Sequence, residues 1–127
     1  MKALVLDTGA LIALERNDRS MWAALRVAAG KGEDVVVPST VLAQAWRGLA
    51  PQAMLARALA YCEIAPFDTL ARAVGELCGK AGTSDICDAQ VALVAASRAD
   101  VLYTSDPEDL RKLLRACRRA APAIVRC

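Results

Sequence analysis

A chain of 127 residues, 56% hydrophobic and only 4% aromatic, has the size of one domain with a sizeable core and is too apolar to be disordered. Its net charge of +2 is unevenly spread: residues 1–110 carry ten basic and fourteen acidic groups, and residues 111–127 six basic groups and no acid. No apolar stretch approaches the ~18 residues of a membrane span. The run after Lys2 is too short for a signal peptide before Asp7 interrupts it, so a cytoplasmic location is expected.

In chain order, residues 2–6 read as a buried strand and residues 8–16 as a helix. After a turn at residues 17–20, Ser20 is placed to cap a helix running to about Ala29, which Gly30 and Gly32 stop. Val35, Val36 and Val37 form a second strand broken by Pro38, and Ser39 or Thr40 caps a helix through Trp46. Pro51 opens a helix over residues 51–60. A weak strand over residues 62–65 precedes a helix capped by Asp68 or Thr69. Residues 85–97 form the next helix, 101–104 the fourth strand, 107–119 a helix and 123–125 an edge strand. Short apolar strands alternating with helices predict one domain over residues 1–127, an α/β/α sandwich around a parallel sheet.

The acids fall where such a fold gathers ligands, at the carboxyl ends of strands. Asp7 follows the first strand and Asp106 the fourth, while Asp85 and Asp88 share one face of a helix by their i, i+3 spacing. Each also has a plain structural role. Asp7 suits a helix N-cap, Asp85 and Asp88 favour a helix dipole, and Asp106 with Pro107 and Asp109 reads as a capping box. The chain has no histidine, and its five cysteines form no C-x-x-C pair. That composition argues against a zinc site, a disulfide framework and an imidazole-assisted nucleophile. Acids gathered without imidazole suit hard, oxygen-loving Mg²⁺ or Mn²⁺. Phosphodiester hydrolysis is a common chemistry of that kind.

Four segments carry a resemblance: residues 6–14 (LDTGALIAL), 38–48 (PSTVLAQAWRG), 85–92 (DICDAQVA) and 103–110 (YTSDPEDL). In this order and spacing the chain resembles the PIN domain, and most closely the VapC-type ribonuclease toxins of bacterial toxin–antitoxin pairs. The resemblance implies a three-layer sandwich with a central parallel sheet, and endonucleolytic RNA cleavage with Mg²⁺ or Mn²⁺. It also implies a cognate antitoxin protein and a homodimer. By position, Asp7, Asp88 and Asp106 match family acids, and Thr104 matches the family's small hydroxyl residue near the site.

The chain departs from the pattern at the second acid, where Gln44 stands in place of the usual Glu. An amide oxygen is a poorer Mg²⁺ ligand than a carboxylate. Asp85, one turn before Asp88, is the residue placed to restore the missing charge, and Gln44 to orient water. This departure supports a rival reading, a catalytically weak PIN-fold module that binds RNA or a protein partner. In the basic tail, Arg111, Arg115 and Arg118 align at helical spacing, as either a solvated face or a track for substrate phosphates. The apolar stripe Met54, Leu55, Ala58 and Leu59 is the expected face for a second copy.

Overall fold

The computed structural model describes residues 2–119 and 121–127. Among them, strand β1 (Ala3–Leu6) is followed by helices α1 (Thr8–Glu15) and α2 (Arg19–Gly30), then β2 (Asp34–Pro38) and α3 (Ser39–Ala45). Next come α4 (Ala53–Leu59), β3 (Glu63–Ala65), α5 (Ala71–Ala81) and α6 (Ile86–Arg98). Strand β4 (Val101–Thr104), α7 (Pro107–Cys117) and β5 (Ala123–Arg126) complete the order. All four strand pairings are parallel, in the order β3-β2-β1-β4-β5.

Strand β1 lies at the centre, with Val5 registered against Val36 on one side and Leu102 on the other. Its side chains are apolar throughout because helices cover both faces of the sheet, and all four are buried. The connections through α1–α4 step from β1 to β2 to β3, while α5, α6 and α7 serve β4 and β5. Right-handed crossovers therefore place the two sets of helices on opposite faces, which gives the expected α/β/α sandwich. The change of direction between β1 and β4 marks, at their carboxyl ends, the place where open parallel sheets gather ligands. Among the described residues, no helix is long and apolar enough to cross a membrane.

Several element ends differ from the sequence reading, each for a local reason. Asp18, not Ser20, caps α2 by accepting from the Met21 N–H at 2.9 Å. Pro38 does not break β2 but ends it, paired with Ala65, where its missing N–H costs the least. No side chain caps α3. Helices α4 and α5 are each preceded by a 3₁₀ turn, Ala50–Gln52 and Asp68–Leu70. The first of these turns is fixed by Gln52, whose amide oxygen accepts from Arg47 and Gly48 N–H groups while its nitrogen donates to Ala45 and Glu15. Leu55 and Ala58, expected on a self-association face, are fully buried, with Met54 and Leu59 packed beside them. That stripe packs into the chain's own core.

Candidate active site

Asp7 leaves the end of β1, its N–H still bonded to the Tyr103 carbonyl at 2.9 Å. Its carboxylate is buried and accepts from the Thr8 N–H at 2.7 Å and from the Thr104 hydroxyl at 2.7 Å. Thr104 is fully buried and in turn accepts the Asp106 N–H at 3.0 Å. That N–H directs the threonine's own proton to Asp7, so one hydroxyl ties the ends of β1 and β4 together. The capping box expected at Asp106 and Asp109 does not form. Asp106 holds the N-cap position with no side-chain cap bond, because Thr104 has taken the N–H that Asp109 would have bound. The Asp106 carboxylate is thereby left exposed to solvent.

Gly9 makes this junction close. A Cβ added there would lie 2.5 Å from Ser105 Oγ and 3.0 Å from the Ser105 backbone nitrogen. Only glycine lets α1 start against the β4–α7 turn.

On α6, Asp85 is the N-cap and accepts from the Asp88 N–H at 3.0 Å. Asp85, Asp88 and Asp109 line a cavity of about 160 Å³ with Thr83, Lys112 and Leu113. The acids influence one another across the strand ends. Burial pushes the Asp7 carboxyl up, hydrogen bonds from Thr104 and Thr8 oppose this, and the charges of Asp106 and Asp85 push it further. Asp88 is raised to about 7, first by burial, then by the charges of Asp85 and Asp7, a hydrogen bond to Asp85, and the charge of Asp109. Among the described residues, none of these five acids forms an ion pair.

Gln44, on α3, lies against the starts of α1 and α6. Its oxygen accepts from the Thr8 hydroxyl and from the Cys87 thiol at 3.4 Å, so of the amide expected to orient water the oxygen is already engaged. Burial, followed by the charges of Asp7 and Asp88, pushes the Cys87 thiol up, while hydrogen bonding with Thr40 and Thr8 opposes this. A protonated thiol suits its role as donor to Gln44. Gln90, fully buried on α6, accepts from the Thr40 N–H at 3.0 Å and donates to the Ala65 carbonyl at 3.2 Å, locking α6 to the ends of β2 and β3. Sequence reasoning gave no site role to Gln90, Cys87 or Lys112 and read Asp109 only as a capping partner. The one legible signal was an amide inside the apolar run of α6.

Among the described residues, no three acidic or thiol side chains are gathered tightly enough to enclose a metal ion. The donor chemistry nonetheless fits one. Hard carboxylate oxygens, which among the described residues pair with no cation, suit a Mg²⁺-like ion, which dehydrates reluctantly and keeps several waters. The basic tail differs from expectation. Helix α7 ends at Cys117, and Arg118 takes a left-handed conformation (φ 54°), leaving the line of Arg111 and Arg115. Arg119 joins those two instead, around a cavity beside β5.

No protein-family model matches the sequence, and no curated protein matches it. Among solved structures, the chain is similar to one from the VapBC2 complex of Rickettsia felis bound to a DNA fragment from their promoter. The TM-score is 0.68 and the sequence identity 20%, over 98% of each chain. At that identity the likeness is one of fold, and it extends over nearly the whole of both chains.

Proposed function

We propose that the protein is a Mg²⁺- or Mn²⁺-dependent endoribonuclease, the cytoplasmic toxin of a type II toxin–antitoxin pair, held in check by a cognate antitoxin and acting as a homodimer. What supports this reading is a fold like that of a VapBC2 chain together with acids at its strand and helix ends, Asp7, Asp85, Asp88 and Asp106, that pair with no cation among the described residues. Asp7, Asp88 and Asp106 would hold the ion, with Asp85 assisting. When bound, the ion would supply positive charge to the scissile phosphate and acidify the attacking water.

The chain's own residues have distinct tasks. Thr104 and Thr8 fix the Asp7 carboxylate through both oxygens, so it meets its ligand without reorganising. Asp88 holds a proton up to about pH 7 and must release it to act as a ligand, so cation binding weakens below that pH. Gln44 keeps Thr8 and Cys87 in register, leaving its amide nitrogen as its remaining donor.

A second reading, a PIN-fold module that binds without cleaving, is favoured by the neutral Gln44 alone. Incubating labelled RNA with the protein, with and without Mn²⁺, beside an Asp7→Asn control decides between them. Mn²⁺-dependent cleavage lost in the variant supports the nuclease. Absence of cleavage by the wild type leaves the binding module.

A further inference from the structure

Helix α7 starts at the candidate active site and ends at a second feature that the catalytic reading does not use. Between α7 and the edge strand β5 lies a cavity of about 330 Å³, lined by Arg111, Arg115, Arg119, Leu114, Pro122 and Ile124. Three arginines line it and, among the described residues, no acid does. Arg111 pairs with Glu108 at the exposed surface, whereas Arg115 and Arg119 form no ion pair among the described residues. The volume lies in the range of small-ligand pockets. Arginines beside an apolar floor match a molecule with an anionic and a flat apolar part. Arg115 is nine residues past Asp106, about 13 Å along the helix axis, a distance that a few nucleotides of extended strand can cover.

We infer that this cavity is an RNA subsite that takes one nucleotide of a single strand passing the acids, with its phosphate on Arg111, Arg115 and Arg119 and its base against Leu114, Pro122 and Ile124. The inference rests on the proposed RNA substrate. The polarity of the chain supports it: all cationic groups after Asp109 fall in a segment with no acid, which complements a polyanion. Charged contacts of this kind release counterions, so they are read out as salt dependence.

The test uses the full chain in EDTA, where binding is separated from metal-dependent cleavage, and a fluorescein-labelled single-stranded RNA of about a dozen nucleotides. Anisotropy titrations run from about 50 to 200 mM NaCl. The Arg115→Gln/Arg119→Gln double variant should bind about tenfold more weakly, with the slope of log K against log salt shallower by about 1.4, two contacts' worth on a single strand. Arg72→Gln, on α5 and outside the cavity, should leave affinity and slope unchanged. An abasic ribose-phosphate strand should bind more weakly than RNA.

Wild-type affinity and slope in the double variant overturn the inference, as does an equal loss in Arg72→Gln, which marks diffuse attraction. Equal affinity for the abasic strand refutes the base contact. If the double variant keeps its RNA affinity but loses binding to an oligoglutamate peptide, the cavity serves a protein partner and the inference fails. A wild type that does not bind RNA also ends it. A wild type that binds RNA through these arginines yet never cleaves it sinks the nuclease reading alone.

Discussion

Replacing Asp88 by Asn should stabilise the metal-free protein, and only above a definite pH. In the unfolded chain this carboxyl ionises near 3.8, and in the folded chain near 7. Between those values the folded state binds the extra proton, so the group's contribution is fully present below pH 4 and lost as pH rises to 7. Three pH units correspond to a ceiling of about 4 kcal/mol. The side chain is only partly buried, and solvent screening reduces this to about 1–2 kcal/mol. Asn cannot ionise, and its amide can donate to Asp85 where the carboxylate repels it. Urea denaturation in EDTA at several pH values between 4 and 8.5 should therefore show equal stability at pH 4 and a variant more stable by about 1–2 kcal/mol at pH 8. Added Mg²⁺ should then stabilise the wild type and not the variant. A constant difference across this pH range, or a variant less stable at pH 8, would refute the reasoning that mutual repulsion burdens the site.

Asp7→Asn should remain folded by circular dichroism, since an amide oxygen still accepts the Thr8 N–H, but should lose the calorimetric signal of Mn²⁺ binding at neutral pH. Gly9→Ala should lower stability by about 1–3 kcal/mol in a denaturant titration, because the new methyl drives into Ser105 and displaces the turn carrying Thr104 and Asp106. An unchanged midpoint would show the junction to be looser than its geometry. Gln44→Glu should tighten Mg²⁺ binding while lowering metal-free stability at pH 8, since a new charge faces Asp7 and Asp88. If Asp85 already supplies the missing charge, Asp85→Asn should weaken Mg²⁺ more than Gln44→Glu strengthens it.

The sheet was legible because its strands carry local signals. The run Val101, Leu102, Tyr103, Thr104 became β4 to the residue, and the order of strands and helices predicted the layers. Helix starts were less legible: the 3₁₀ turn ahead of α4, for one, is tied to a distant partner, Glu15, which binds Gln52 across 37 positions. The acids could be found from their places at strand ends. Their relations could not: Thr104 joins Asp7 across 97 residues. The capping box at Asp106 failed for a local reason, a hydroxyl two residues upstream reaching the N–H first. Leu55 and Ala58 illustrate the limit of a periodic stripe, which fixes the buried face of a helix but not what it is buried against.

Gln44 is best understood through its neighbours. Its oxygen accepts two hydrogen bonds, from Thr8 and Cys87, and both donors belong to elements that carry acids: α1 begins beside Asp7, and Cys87 precedes Asp88. A carboxylate at position 44 would accept the same two bonds, but it would add charge next to carboxyls whose pKa values are already raised. The amide keeps the geometry and omits that repulsion. Asp85 caps α6 and is the strongest charged neighbour of Asp88, with its own carboxylate anchored to the start of that helix. Negative charge here is thus carried by α6 and not by α3, whose Gln44 keeps its hydrogen bonds. A cation drawn to this site would sit nearer α6 than one held by a glutamate on α3, which is why Gln44 and Asp85 should be varied together rather than singly.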